Sequence, residues 1–223
     1  PVPFIVYEFI NGCTLQDVID GSNDASTAYE WLTQEPRNAF RLVGQLLDAV
    51  EHLHSLQCHH GDIAPKNIFI DLTQQPRVTL GDIGMSRFMT NLPATVQVAG
   101  TLQFTPLRIR KSFGREVTCE EFKGWFPEWD LYGLTSTILK FLEWLIAFNE
   151  EPWVKAAQDK IRRMMEPTFS IASVEEIRSS ISFCLPETRF RAGIPELAAT
   201  GPALKSRMMP VEPLHYSPRM ETL

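Results

Sequence analysis

The sequence predicts a mainly α (α+β) fold, helical with a small β-hairpin, on three observations. Apolar residues recur at three- and four-residue spacing from Asn38 to Gln57, and a longer apolar stretch runs from Trp129 to Phe148. Between them, two short runs, Asn67-Ile68-Phe69-Ile70 and Val78-Thr79-Leu80, flank a polar turn containing Pro76. With 223 residues, 44% hydrophobic and 22% charged, the chain has the size and balance of one domain with a real core.

Taken in order, Phe4-Ile5-Val6-Tyr7-Glu8-Phe9 reads as a strand that enters a turn at Asn11-Gly12, and a helical turn follows at Leu15 to Ile19. The helix from Asn38 to Gln57 gathers Phe40, Val43, Leu46, Leu47, Val50, Leu53 and Leu56 on one face. The hairpin after it can hold two loop ends at a fixed separation. From Ser86 to about Glu128 the sequence is irregular and punctuated by Pro and Gly, and such a length inside a compact domain is usually functional. In the next helix Thr135, Ser136, Thr137, Lys140 and Glu143 interrupt the apolar run, which makes it a buried core helix and not a membrane span. Ser173 with Glu176 forms a capping-box pattern that starts a helix through Ile177, Ile181 and Leu185, and a short helix is expected at Gly193 to Ala199. From Thr200 onward Pro202, Pro210, Pro213 and Pro218 without periodicity predict a loosely ordered tail. The domain organisation is therefore residues 1–199 followed by a tail of residues 200–223.

Lys plus Arg number 21 against 27 for Asp plus Glu, a net charge of −6, which argues against nucleic acid as a partner because its recognition needs a basic footprint. Cys13, Cys58, Cys119 and Cys184 are far apart and form no C-x-x-C pair, so a reduced cytoplasmic or nuclear protein is expected, with no membrane partner. No secretory pattern follows Pro1, and the chain is expected to be cut from something longer.

The chemistry is carried by His60-Gly61-Asp62-Ile63-Ala64-Pro65-Lys66-Asn67 and by Asp82-Ile83-Gly84. An Asp just after an apolar helix, an Asn five residues later and a second Asp beyond a hairpin suit phosphoryl transfer. One carboxylate must orient the attacking hydroxyl and take its proton, while another carboxylate and an amide oxygen hold Mg²⁺ against nucleotide phosphates. Asp62, Asp82 and Asn67 fit those roles. Either motif alone is an ordinary turn; their order around a hairpin is what weighs against coincidence.

These residues resemble the protein-kinase signature H-R-D-L-x-x-x-N and D-F-G, with Gly61 in place of Arg and Ile83 in place of Phe. Gly100-Thr101-Leu102-Gln103-Phe104 looks like the segment that closes a kinase activation loop; the resemblance implies a Thr101 hydroxyl bonded to Asp62. Trp129-Asp130-Leu131-Tyr132-Gly133-Leu134 resembles the start of the buried kinase helix whose aspartate binds backbone N–H groups of the catalytic loop, and His60 supports the same loop. Leu185-Pro186-Glu187-Thr188-Arg189 resembles the family's late arginine, whose partner should be the glutamate of A-P-E; Arg108 stands at that position, setting it against Arg189. Val6-Tyr7-Glu8-Phe9-Ile10-Asn11-Gly12 looks like the hinge, implying adenine contacts from backbone groups of Glu8 and Ile10, with Phe69 beneath the ring. ATP and Mg²⁺ are the implied cofactors. The resemblance runs from about Phe4 to Leu197 and is to the C-terminal lobe only, of a eukaryotic-type Ser/Thr protein kinase; Leu102 and H-G-D-I look most like divergent fungal-type members.

The departures are as informative. Only six residues precede Tyr7, too few for a glycine-rich loop or its lysine, so an N-terminal lobe is expected upstream and the chain alone is expected to be inactive or nearly so. Gly61 lacks the arginine that receives an activation-loop phosphate, which favours constitutive loop order. Ala64 lacks the lysine that Ser/Thr kinases place two residues after the catalytic aspartate, with Lys66 a nearby replacement. The leading expectation is phosphoryl transfer from ATP to Ser or Thr of an unknown protein substrate. A non-catalytic pseudokinase or interaction module and a small-molecule phosphotransferase are the alternatives.

Overall fold

The computed structural model describes residues 9–73, 76–148, 152–166 and 173–182, all within the unit Pro1–Leu185. Strand β1 (Gly12–Thr14) runs straight into helix α1 (Leu15–Asp20). Thr14 caps that helix reciprocally: its Oγ1 accepts from the Asp17 N–H at 3.1 Å while Asp17 Oδ2 accepts from the Thr14 N–H at 2.8 Å. Helices α2 (Ser26–Gln34) and α3 (Pro36–Ser55) follow, α3 opening on a proline, which the first turn tolerates because that N–H has no helical partner.

Strand β2 (Cys58–His59), the hairpin strands β3 (Ile68–Asp71) and β4 (Arg77–Leu80), and strand β5 (Arg87–Phe88) come next. After them come β6 (Thr95–Gln97), α4 (Leu107–Arg110), β7 (Glu116–Thr118), α5 (Cys119–Lys123), α6 (Glu128–Ile146), α7 (Pro152–Met164) and α8 (Val174–Ser182). All pairing is antiparallel: a sheet in the order β1-β3-β4, with Thr14 opposite Phe69 and Ile68 opposite Leu80, and the two-stranded ribbons β2-β5 and β6-β7.

The main core is helical. Leu42, Leu46 and Val50 of α3 meet Leu131, Leu134, Ile138, Phe141 and Leu145 of α6, all buried, and α7 packs on α6. Buried residues on α6 lie all round its axis, including Asp130, Thr135 and Thr137, which is the pattern of a central helix. A second cluster of Met89, Val96, Val98, Ile109, Val117, Phe122, Trp125 and Trp129 lies under residues 87–125. Among the described residues, no helix is long and apolar enough to cross a membrane.

The mainly α architecture with a small hairpin is therefore observed, and α3, β3–β4 and α6 fall within two residues of the expected bounds. Several elements differ. Gly12, expected in a turn, instead begins a strand, paired with Asp71. The expected strand at Phe4–Phe9 lies outside the described residues except for Phe9, which is irregular. Helices α2 and α7 were not expected, although Val154, Ala157, Ile161 and Met164 of α7 recur at helical spacing and are all buried. The stretch from Ser86 to Glu128, expected to be irregular, is short ribbons and helical turns assembled on their own apolar cluster. The helix after Ser173 is capped as expected, the Glu176 N–H donating to Ser173 Oγ at 3.2 Å; Gly193–Ala199 and the tail lie outside the described residues.

Candidate active site

Two loops are suspended between strands. The first, residues 60–67, leaves β2 and enters β3; the second, residues 81–86, leaves β4 and enters β5. Because β3 pairs with β4 and β2 pairs with β5, both loops are pinned at both ends, so the carboxylates they carry keep a set relation. Hydrogen bonds tie them further. The Gly81 N–H donates to the Asn67 carbonyl at 2.8 Å, and the Gly81 carbonyl accepts from His60 Nε2 at 3.0 Å. Ser86 Oγ donates to the His60 carbonyl at 3.3 Å.

His60 is fully buried, and its two ring nitrogens do different work. Nδ1 accepts from the Asp62 N–H at 3.2 Å, which leaves Nε2 as the protonated nitrogen that donates to Gly81. This arrangement uses the neutral imidazole, and burial, the largest influence, pushes its pKa below the usual histidine value.

Asp62 is buried, with a partner on each carboxylate oxygen. Oδ1 accepts from the Thr101 N–H at 2.7 Å; Oδ2 accepts from Asn67 Nδ2 at 2.9 Å and lies 3.2 Å from Lys66 Nζ. Burial, the largest single influence, pushes the carboxyl up. The hydrogen bonds from Thr101, Lys66 and Asn67, with the Lys66 charge, together outweigh it and hold the group below the usual aspartate value. Asp62 is thus kept as an anion ready to accept a proton. The implied Thr101 hydroxyl contact is replaced here by its backbone N–H; Thr101 Oγ1 is buried with no hydrogen-bond partner among the described residues.

Asn67 gives both amide protons to Asp62, one to the carbonyl at 2.8 Å and one to Oδ2. Its Oδ1 makes no hydrogen bond among the described residues, so a free oxygen is left for a cation. Asp82 is exposed, in a left-handed backbone conformation with φ 56°, and among the described residues holds only the Gly84 N–H at 3.4 Å. A non-glycine residue in that region is uncommon and strained, though Asp tolerates it better than most. An amide oxygen and a carboxylate suit a hard cation. Among the described residues no three His, Cys, Asp or Glu side chains cluster as a metal site.

Beneath the loops, Asp130 at the start of α6 accepts the His60 N–H at 2.8 Å on Oδ2 and the Gly61 N–H at 2.9 Å on Oδ1. Two histidines that sequence reasoning had not singled out flank it. His54 Nε2 lies 3.1 Å from Oδ2 in a hydrogen bond. His59 Nδ1 lies 3.2 Å from Oδ1, close but outside hydrogen-bond geometry, with its ring packed on Phe122 and Trp129. Complete burial is the largest influence on Asp130 and pushes its pKa up; the His59 and His54 rings and the backbone N–H bonds reverse this and hold it far below the usual value. Their only sequence signal was the crowding of His52, His54, His59 and His60.

Two glycines make the assembly sterically feasible. Gly61 has φ 82°, which an arginine at this position would adopt only with strain. A Cβ at Gly133 would lie 2.9 Å from the Ile63 carbonyl oxygen and 3.1 Å from that of Phe104, so a bare backbone lets α6 pass under both segments.

The remaining expected residues are placed as follows. Phe69 is half-buried on β3 and Ile10 is partly exposed before β1; Glu8 and Arg189 lie outside the described residues. Arg108 forms a bidentate ion pair with Glu128 at the start of α6. Arg108 thus has an acidic partner twenty residues away, which local spacing does not reveal, while its expected facing of Arg189 lies outside the described residues.

Comparison with known proteins points to one family. The family described as Protein kinase domain matches residues 3–185. The serine/threonine-protein kinase PrkC of Bacillus subtilis is 26% identical over 155 residues, 69% of this chain and 21% of that protein. The serine/threonine-protein kinase PknB of Mycobacterium leprae is 29% identical over 107 residues, 47% of this chain and 15% of that one. A probable serine/threonine-protein kinase, KIN1 homolog, of Encephalitozoon cuniculi is 27% identical over 158 residues, 71% of this chain and 24% of that one. The chain thus spans a quarter or less of the length of these relatives. With a family match over most of its length and the two loops held as described, the chain belongs to the protein kinase domain family.

Proposed function

We propose that the protein transfers the γ-phosphoryl group of ATP to Ser or Thr hydroxyls of a protein substrate, and that this chain supplies the catalytic loop, the metal loop and the activation segment of the C-terminal lobe. The observation that carries this reading is the pinned pair of loops: Asp62 held as an anion, Asn67 with a free amide oxygen, and Asp82 exposed beyond Gly81. Names of the relatives point the same way.

Asp62 orients the acceptor hydroxyl and takes its proton. Oδ2 already receives two partners and Oδ1 one, so Oδ1 is the oxygen with a lone pair open to the hydroxyl. Asn67 Oδ1 and the Asp82 carboxylate hold Mg²⁺, which when bound neutralises charge on the phosphates. Adenine would lie between the backbone of Glu8 and Ile10 and the Phe69 ring, and an N-terminal lobe would complete the cleft. The activation segment needs no phosphate to order it in this reading, since it rests on Val96, Val98, Ile109 and Val117. A reduced intracellular setting belongs to the same proposal.

In the full-length protein, Asp82→Ala should abolish transfer of labelled phosphate from ATP to protein acceptors such as casein; full activity in that variant would sink the assignment. A non-catalytic reading is favoured by Gly61 and Ala64. It predicts no Mg²⁺-dependent thermal stabilisation by ATP, whereas a working site predicts a shift that grows with nucleotide concentration. Turnover of aminoalcohols or aminoglycosides without protein phosphorylation would point to a small-molecule phosphotransferase.

A further inference from the structure

We infer that His59 is a proton-operated positioning residue: on taking a proton from solvent at Nδ1 it pairs with Asp130 Oδ1 and loosens the grip of that oxygen on the Gly61 N–H. For its effect on turnover the inference rests on the function proposed above. Two observations carry it. The first is that His59 is 1% exposed, yet neither ring nitrogen has a hydrogen-bond partner among the described residues. Buried polar atoms are nearly always paired, so an unpaired imidazole calls for an explanation. Its Nδ1 lies 3.2 Å from Asp130 Oδ1 but is turned out of hydrogen-bond geometry. The ring therefore sits beside a partner it does not hold.

The second is the uneven loading of the two Asp130 oxygens. Oδ2 takes the His60 N–H at 2.8 Å and His54 Nε2 at 3.1 Å, whereas among the described residues Oδ1 takes the Gly61 N–H alone, at 2.9 Å. Oδ1 thus keeps an open lone pair, and His59 is the group beside it. The rings of Phe122, Phe126 and Trp129, with centroids 5.2, 6.3 and 5.0 Å from that of His59, wall the pair off from water, which strengthens the attraction between an imidazolium and a carboxylate. The other titratable and charged groups around the ring are engaged. From α3, His54 already bonds Oδ2, so a charge on it only reinforces a bond its neutral ring makes. From β2, the Cys58 thiol is pushed up by burial and then by the Asp130 charge, so it stays protonated. From β5, Arg87 lies opposite His59 in the ribbon but gives its guanidinium to the Gly84 and Ser86 carbonyls. The His60 ring is taken by the Gly81 carbonyl and the Asp62 N–H. Helix α5 meets the ring through Phe122, while its Glu120, Glu121 and Lys123 are exposed.

Gly61 stands immediately before Asp62, so the bond on its N–H helps to fix where the Asp62 carboxylate lies. A bond to an ionised acceptor is roughly twice as strong as one between neutral groups. When the imidazolium shares Oδ1, the Gly61 bond loses much of that assistance and the loop is held less firmly. No covalent bond changes: a solvent proton joins the Nδ1 lone pair and returns to solvent when the pH rises. The loop is therefore tight with His59 neutral and slack with His59 charged, and turnover falls on acidification. Asp62 and His60 are both held below their usual values, so their own protonation belongs to more acid pH.

The test uses the full-length protein as wild type, His59→Gln and His59→Phe, with kcat for transfer from ATP to casein in the presence of Mg²⁺ followed from about pH 8 to about pH 5, the span in which histidine titrates. Wild-type kcat should fall at least about fivefold along a single-proton limb, and both variants, which have no titrating ring at this position, should lose that limb. A second measurement needs neither turnover nor a variant. In isotope-labelled wild type, the His59 ring resonances and the Gly61 amide proton should titrate with one midpoint, the amide proton moving upfield as its bond weakens. The same limb in wild type and variants, a His59 ring that does not titrate in this span, or a Gly61 amide that stays in place while the ring titrates overturns the inference. Should both variants fail to fold, the wild-type resonances decide. If the wild type phosphorylates casein but neither resonance moves, the kinase reading stands and this inference alone fails. If the two resonances titrate together in a protein that transfers no phosphate, the proton link stands and the kinase reading falls.

Discussion

Replacing Asp130 by asparagine isolates what the buried carboxylate does for the catalytic loop. The native group accepts two backbone N–H bonds, from His60 at 2.8 Å and Gly61 at 2.9 Å, one on each oxygen. An asparagine is nearly the same shape but offers one oxygen and one NH2, so one N–H keeps an acceptor and the other faces a donor. Leaving a buried N–H unsatisfied costs about 1–3 kcal/mol, and converting the remaining bond from charge-assisted to neutral costs roughly a further 1 kcal/mol. The sum, about 2–4 kcal/mol, is a large part of the roughly 5–15 kcal/mol that a domain has in total. In urea, with a slope of about 2 kcal/mol/M, the midpoint of equilibrium unfolding at pH 7 should fall by about 1–2 M. Asp130→Ala, with no acceptor at all, should fall further. A midpoint for Asp130→Asn within about 0.3 M of wild type, which at that slope is under about 1 kcal/mol, would refute the claim that these N–H groups depend on the carboxylate.

Two more outcomes follow from the same contacts. Because burial depresses the His60 pKa in the folded state, the unfolded chain takes up the proton first. Its contribution to stability is complete above the unfolded value of about 6.5 and is lost as pH falls from there through the lower folded value. Wild-type stability should therefore drop from pH 7 to pH 5 more steeply than that of His60→Leu; equal slopes in parallel urea titrations would exclude the assignment. Gly133→Ala gains helix propensity worth about 1 kcal/mol yet forces a methyl group to 2.9 Å from the Ile63 carbonyl oxygen. A net loss of about 1–3 kcal/mol is expected by thermal unfolding, and a rise in Tm would show that α6 can move away freely.

Helices α3 and α6, the β3–β4 hairpin and the two loops beside it were legible in the sequence because they depend on local pattern. Helical periodicity in α3 and α6, alternation in β3 and β4, and the run from His60 to Asn67 are each contained within a few turns of chain. Helix α2 was not, since it buries only Ala28 and Leu32 and has no long stripe to read. The ribbon of β6 with β7 was also hidden, because each strand is three residues long and its partner lies about twenty residues away.

Tertiary structure alone decided which atoms meet. That Asp62 is held by the Thr101 backbone and not its hydroxyl, that Arg108 finds Glu128, and that His54 and His59 bracket Asp130 all depend on segments brought together by the packing of α3, α6 and the activation segment. Residue types and spacing determined that a carboxylate, an amide oxygen and a second carboxylate would sit on neighbouring loops. Only the folded chain determined that Lys66, two residues beyond the buried Ala64, reaches Asp62, because the direction of a side chain on a 3-10 turn is set by the hydrogen bonds that close it and the walls around it.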